Sequence, residues 1–477
     1  MADGKSMTAV DPHAAIRHPS SAIRAAVLTP LPPTRTGVAH YASMLLPALA
    51  ERVEVKAFPS LDGFRRDDFD HVICQLGNNP HHAFAYAEAM RGGCVAVLHD
   101  LVLHHLIVEM TLARGDASGY VEALRANHGA AGAAWARGRA AGLHTEMGNF
   151  LLPASVEVAR RSRAVIVHNA YARDRLQSFG VTTPIHVVPH PYVHDATTHD
   201  RDALRTRLGI KPGQRVIGFF GFLTSAKRAE VVLEAFRVAH ARDPRLVLLI
   251  VGEPAPNIDV AKIAGENVIA TGYVADEEFA SYYAIADRLV NLRYPSAGET
   301  SGTLIRAFDA GKPVAVSDYA QFAELPDDCV TKIPFGENEV QSLAEFFLRE
   351  DDVASAQRAW LENNARLDQT IDGYLNTLKP HRPTDQPANR PTLPLFASLE
   401  VTNVANDTIT VRNNGEATLR TRTYGTPEIR LIIRSPYGDH WVGLPCDLAP
   451  GETAEIAFPR LPGELRFDVA IQDVPGV

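Results

Sequence analysis

Two stretches decide how this chain reads: GFFGFLTSAKR at residues 218–228 and GETSGTLIRAFDAGKPV at residues 298–314. Each couples the end of a β-prone run to the start of a helical pattern. A helix N-terminus presents unpaired N–H groups and partial positive charge, so two of them in succession make a socket for a diphosphate. Lys227 and Arg228 add two cations, expected in the first turn of the first of these helices and exposed to the ligand. The chain therefore reads as a binder of a nucleotide, most naturally a nucleotide sugar.

Outward from these stretches the pattern is repetitive. From residue 23, AIRAAVL, VEVKAF, HVICQL, CVAVLHD, RAVIVHN and IHVVPHP alternate with helical patterns, including residues 38–49 and an Ala- and Arg-rich run at 120–143. That rhythm is the mark of parallel βαβ units. It restarts with RVIGFFGF, RLVLLIVGE, NVIATGY, RLVNLRY, PVAVSD and VTKIPF, with helices predicted near 228–241, 276–286 and 303–310. Two doubly wound sheets facing a cleft follow, one over residues 23–192 and one over 193–378. Five prolines between 380 and 394 mark a linker, assigned to 379–394, and the β-rich runs of 395–477 predict a small antiparallel sandwich. Residues 1–22 read as a flexible lead.

Composition narrows the class. The chain has 477 residues, a net charge of −9 and 46% apolar content, enough for roughly three domains of about 150 residues. An acidic balance argues against a nucleic-acid partner, while a local basic patch leaves peripheral membrane contact open. The four cysteines, Cys74, Cys94, Cys329 and Cys446, have no paired spacing and read as reduced core residues of a cytoplasmic protein. Neither a signal peptide nor a membrane span is expected.

The ordered motifs of residues 23–378 resemble a glycosyltransferase of the GT-B fold, similar to the large retaining family 4. The loop PLPPTRTGVAHY at 30–41 matches the family's turn after the first strand, with Gly37 where backbone approaches the ligand. His99, ending CVAVLHD, matches the histidine that touches the donor sugar, and Asp100 follows it on the acceptor side. Asn78, Asn79 and His104 are further acceptor-side candidates, with a polar turn an equal reading for the asparagines. The sequence Pro189-His190-Pro191 resembles the interdomain hinge, with Pro191 in place of the usual Gly and His190 a further acceptor-side candidate. Thr224, Lys227 and Arg228 fall in the diphosphate segment, where the family's arginine is replaced by Phe222. Glu253 and Tyr273 fall near the nucleobase.

The last motif departs most. The family carries two glutamates in an E-x7-E pattern before Gly-x-Pro-Val; here Glu299 and Arg306 form E-x6-R. The second glutamate accepts hydrogen bonds from ribose, and arginine carries donors only. Asp309, one turn on, is an alternative acceptor. Thr300, Ser301, Gly302 and Thr303 keep the character of a phosphate-binding helix start.

The resemblance implies a retaining transfer from a nucleoside diphosphate sugar, a co-substrate, to a glycan or lipid-linked acceptor. His99, Glu299 and Lys227 are the expected catalytic groups, and neither a cofactor nor a metal is implied. A nucleotide-sugar epimerase or hydrolase and a non-catalytic carbohydrate-binding scaffold are the rival readings. Trp441, Tyr424 and Tyr437 offer a sugar platform in the C-terminal segment, against the commoner use of aromatics as core.

Overall fold

The computed structural model describes residues 23–379 except 35, 144, 146, 195–198, 222 and 254–266, and beyond them 399–405, 408–413, 428–435, 438–443, 453–457 and 466–472. The flexible lead, the Pro-rich linker, Phe222, Tyr424, Tyr437 and Cys446 lie outside the described residues. Residues 1–379 and 380–477 form two separate compact units.

The first sheet contains β1 (Arg24–Leu28), β2 (Glu54–Phe58), β3 (His71–Leu76), β4 (Val95–Leu98), β5 (Ala164–Val167) and β6 (Ile185–Val187). All pairs are parallel and the order is β2-β1-β3-β4-β5-β6. The central strands β4 and β5 are buried along their whole length. A parallel sheet covered on both faces requires this, which is why VAVL and AVIV show no alternation.

The second sheet contains β7 (Arg215–Phe220), β8 (Leu246–Val251), β9 (Val268–Ala270), β10 (Arg288–Asn291), β11 (Val314–Ser317) and β12 (Thr331–Ile333), in the order β12-β11-β10-β7-β8-β9 and again parallel. Chain order reverses between β1 and β3 in the first sheet and between β7 and β10 in the second. The crevice beyond the carboxyl ends at such a reversal is where open α/β sheets hold ligands. The loops after β7 and β10 are the two stretches that opened the sequence reading.

The helical run at 339–378 divides into Glu339–Leu348, Ala354–Asn364 and Leu367–Leu378. The first two stay with the second sheet. The third crosses back: Ile371, Tyr374 and Leu378 are buried in one apolar cluster with Tyr41, Leu45 and Leu49 of the first helix, Gly37–Ala50, and with Val27 and Val97. Assigning all of 193–378 to the second half is therefore corrected at its end. The carboxyl-terminal helix shows apolar spacing whichever sheet it covers, so periodicity alone does not reveal the crossover.

Cys74, Cys94 and Cys329 are buried and free. Among the described residues no helix is long and apolar enough to cross a membrane. Among the described residues the second unit has two three-stranded antiparallel sheets, β13 (Leu399–Ala405), β14 (Thr408–Asn413) and β17 (Thr453–Ala457), and β15 (Glu428–Ser435), β16 (Gly438–Gly443) and β18 (Arg466–Gln472). Strand β16, containing Trp441, was not anticipated from its sequence, GDHWVG, whose Gly and Asp are poor strand formers.

Candidate functional site

At the second reversal the backbone is drawn tight. Gly221 follows β7 with φ +86°, and Gly252 follows β8 with φ +135°. A Cβ on Gly252 would lie 2.5 Å from the Gly221 carbonyl oxygen, and one on Gly221 would lie 2.5 Å from Lys227 Nζ and 3.8 Å from Thr303 Cγ2. Only glycine fits both the angle and the space. This brings Lys227 under the start of the helix Gly302–Asp309, whose N-cap is Ser301. Gly302 itself is exposed, with nothing within 4 Å of its Cβ position. Gly37, heading its own helix, is open in the same way.

Lys227 ends a 3-10 turn, Ser225–Lys227, and is half-buried, where the sequence suggested an exposed helical cation. Its Nζ donates to the Phe220 carbonyl at 3.0 Å. Burial first, and then the neighbouring Arg293, push its pKa well down, with Glu299 opposing. Arg293, at 9% exposure, donates through Nε to Glu299 Oε1 at 3.0 Å and through Nη1 to the Leu292 carbonyl at 2.8 Å. Ser296 Oγ lies 3.3 Å from Glu299 Oε2. Sequence reading overlooked Arg293. Its signal was a charged residue two positions beyond the carboxyl end of a strand, in RLVNLRY.

Arg228 is not a free cation. It has φ +59° and forks onto Glu339 through Nε at 3.0 Å and through Nη2, with its guanidinium over Phe335. Asp309 is likewise committed: its Oδ1 accepts from Tyr192 Oη at 2.7 Å and pairs with His194 Nδ1 at 2.6 Å. The proposed substitute ribose acceptor is thereby drawn to the interdomain connection. Arg306 reaches the first half, with Nη2 3.2 Å from His40 Nε2 and its guanidinium over Phe279. The hydroxyls of Ser301 and Thr303 both donate to Asn291 Oδ1 at 3.0 Å. Thr224 gives its carbonyl to the Lys227 amide, and the Glu253 carbonyl accepts from the Leu223 amide, leaving the Glu253 side chain exposed. Tyr273 is half-exposed beyond β9.

Facing this, three successive strands of the first sheet each end near a histidine: His99 after β4, His168 after β5 and His190 after β6. All three rings surround Tyr41, at centroid distances of 4.6, 5.4 and 5.1 Å. His168 and the similarly placed Asn169 were missed, although RAVIVHN repeats the pattern of CVAVLHD: an apolar run closed by His and a short polar residue. His168 Nδ1 meets the Val188 carbonyl at 2.9 Å and Nε2 meets His99 Nδ1 at 3.3 Å. Burial lowers the His168 pKa to about 4, so the ring is neutral near pH 7. A carbonyl can only accept, which puts the His168 proton on Nδ1 and the His99 proton on Nδ1. The His99 Nε2 lone pair is then left buried and without a hydrogen-bond partner among the described residues. Burial and the neighbouring histidines hold His99 well below its usual pKa, and burial lowers His190 to about 3.

Asp100 accepts from the Asn78 amide at 2.7 Å, and burial with nearby Glu299 raises its pKa to about 7. Asn78 is spent on the local fold: its Oδ1 accepts from the amides of His105 and Leu106 at 2.9 and 3.2 Å, and its Nδ2 meets His105 Nδ1 at 2.7 Å. Asn79 caps the turn Pro80–His82 by accepting from the His81 amide at 3.1 Å. The polar-turn reading therefore accounts for both asparagines. His104 is fully buried, with Nδ1 on the Leu152 carbonyl and Nε2 on Tyr120 Oη, each at 2.6 Å, so it is a core residue and not an acceptor contact.

The halves meet directly. Asn169 Nδ2 donates to the Gly298 carbonyl at 3.0 Å and lies 3.4 Å from Thr300 Oγ1; the Val102 amide donates to the Ala297 carbonyl at 3.0 Å. A Cβ on Gly298 would lie 2.6 Å from Leu101 Cβ.

This arrangement of two parallel sheets is the GT-B glycosyltransferase architecture. It is shared with the crystal structure of Anabaena HepE in complex with UDP and glucose, at a TM-score of 0.53 and 16% identity over 75% of this chain and 99% of that one. Within it, residues 214–349, which include the loops after β7 and β10, match the family model described as "Glycosyl transferases group 1". Two curated relatives are the alpha-monoglucosyldiacylglycerol synthase of Streptococcus pneumoniae, 26% identical over 31% of this chain and 36% of that protein, and the D-inositol 3-phosphate glycosyltransferase of Rhodococcus erythropolis, 32% identical over 25% and 29%. The matched stretches thus span about a third of these relatives' own lengths.

Proposed function

We propose that this chain is a retaining glycosyltransferase of the family 4 type, transferring a sugar from a nucleoside diphosphate donor to a glycan or lipid-linked acceptor. The observation that carries this reading is the convergence of Gly221, Lys227 and the open start of the helix Gly302–Asp309 at the reversal of the second sheet. As the glycosidic bond to phosphate breaks, negative charge grows on the leaving diphosphate. A fixed cation and helix N–H groups in a desolvated site stabilise that charge without reorganising, and need no metal to do so.

On this reading His99 Nε2, without a partner among the described residues, accepts a hydrogen bond from a hydroxyl of the donor sugar. Glu299 holds a second hydroxyl, and Asp100 and His190 border the acceptor. No protein nucleophile is required: the acceptor hydroxyl attacks on the face the diphosphate leaves, and a departing phosphate oxygen takes its proton. The Streptococcus relative's name, a diacylglycerol-linked product, supports a lipid-linked acceptor. The two C-terminal sheets are read as a stacked sandwich that engages acceptor or partner.

The test is thermal stabilisation by UDP, GDP, ADP, dTDP and CMP, followed by the matching nucleotide sugars, because a ligand of the native state raises its melting point by mass action. UDP comes first, given the ligand of the Anabaena neighbour. One diphosphate should stabilise the wild type, and Lys227→Ala should abolish the shift while leaving the unliganded melting point within a few degrees. Retained affinity in Lys227→Ala would overturn the assignment. Donor consumption with no acceptor would favour the hydrolase reading, and no response to any nucleotide the non-catalytic one.

A further inference from the structure

On the resemblance, the diphosphate segment carries Phe222 where an arginine is expected, and Arg228 is forked onto the buried Glu339. One lysine would then face a ligand that carries at least two negative charges. A second cation does reach the same point, from a different strand. Arg293 leaves the carboxyl end of β10, on the other side of the sheet reversal from Lys227, and the next residue ties the two loops together, the Tyr294 amide donating to the Ala226 carbonyl at 2.7 Å.

We infer that Arg293 is the second diphosphate ligand of this protein, supplied from the loop after β10 in place of the arginine missing from the loop after β7. The inference rests on the glycosyltransferase reading above. Three observations carry it. First, Glu299 is already ion-paired with Arg293, and Lys227 donates to a carbonyl and has no salt-bridge partner among the described residues. Burying unbalanced charge is costly, and an anionic ligand completes the balance. Second, the guanidinium is only partly satisfied: Nε and Nη1 are bonded, and Nη2 has no hydrogen-bond partner among the described residues. A fork with one limb anchored and one unspent suits phosphate, for which arginine geometry is well matched. Third, its anchor is built. The Arg293 amide donates to Ser317 Oγ at 2.9 Å, and Glu299 lies beside Ser296, whose hydroxyl donates to Gln321 Oε1 at 2.8 Å. Gln321 Nε2 closes the loop by donating to the Glu299 carbonyl at 2.8 Å. The cation is thus fixed before the ligand arrives.

The test compares affinities, by calorimetry on the full chain, for the nucleoside diphosphate that binds best among UDP, GDP, ADP and dTDP and for its monophosphate. Arg293→Gln keeps a donor for Glu299 but removes the charge. It should weaken the diphosphate at least tenfold and the monophosphate less than threefold. If Arg293→Gln does not fold, judged by its circular dichroism and melting transition, Arg293→Lys keeps a cation without the fork and should still lower the ratio of diphosphate to monophosphate affinity at least threefold. A ratio unchanged from wild type in the folded variant overturns the inference and leaves Arg293 as a structural partner of Glu299. A wild type that binds no diphosphate at all overturns the glycosyltransferase reading itself, an outcome distinguishable from the first.

Discussion

Arg306 Nη2 donates to His40 Nε2 at 3.2 Å, joining the helix Gly302–Asp309 of the second half to the helix Gly37–Ala50 of the first. Arg306, which the resemblance aligns with a ribose-binding glutamate, here forms a bridge between the two halves. The guanidinium also lies 5.1 Å from the Phe279 ring centroid, which fixes its plane.

Removing the bridge should loosen closure more than it weakens nucleotide binding. For Arg306→Ala we expect amide exchange in the first turn of Gly37–Ala50 to speed up by about threefold to fivefold, in keeping with a part-exposed polar contact worth less than about 1 kcal/mol. Diphosphate affinity should fall less than in Lys227→Ala. Exchange unchanged at both helix starts would show that the contact does not restrain the halves.

The tautomer deduced for His99 makes a distinction between sugar and nucleotide. His99→Phe keeps a ring against Tyr41 but deletes the Nε2 acceptor, so affinity for the nucleotide sugar should drop about tenfold, the worth of one hydrogen bond at about 1.4 kcal/mol. Affinity for the bare diphosphate should be unchanged. Equal losses for both ligands, measured by calorimetry, would place His99 away from the sugar.

Arg228 and Glu339 should act on stability. Glu339 is 3% exposed, so Arg228→Met strands a buried carboxylate. Breaking one partner of such a pair costs about 3 kcal/mol, read as a lower denaturation midpoint. Diphosphate affinity of the folded variant should stay within about twofold of wild type. A large selective loss of affinity would return Arg228 to the binding site.

Acid should destabilise the protein steeply. Burial holds His82, His104, His128 and His168 at about 4, and His190 at about 3, all below the ordinary 6.5. Between these values the unfolded chain binds protons that the native state refuses. The stability present above pH 6.5 is therefore lost as pH falls toward 4, by up to about 1.4 kcal/mol per pH unit for each group. Asp100, raised to about 7, works in the opposite sense, since its native form keeps a proton that the unfolded carboxylate releases above about pH 4. Five groups outweigh one. The melting temperature should fall sharply from pH 6.5 to pH 5, and a flat profile across that interval would contradict the burial of these rings.

The sequence by itself determined the strands of both parallel sheets, because runs such as CVAVLHD and RLVLLIVGE are apolar throughout only where both faces are covered, and helical patterns follow them at regular intervals. It also determined that residues 218–228 and 298–314 would lie at strand ends, since glycine and helix-capping residues are local signals. The tertiary structure decided which polar groups are free. Lys227 and Arg228 are neighbours in sequence, yet one lies beneath the open helix start and the other is bound to Glu339, 111 residues further on. Asn78 and His104 look as polar as His99, but their hydrogen bonds close within the first half, while His99 keeps an unspent lone pair. Arg293 becomes a candidate only when β10 is seen beside β7, and Leu367–Leu378 is assigned to the first half only once Ile371, Tyr374 and Leu378 are seen in its core, with the hydroxyls of Tyr374 and Tyr41 meeting at 3.0 Å. Local chemistry writes itself along the chain, whereas satisfaction of a buried polar group depends on partners that folding brings from a distance.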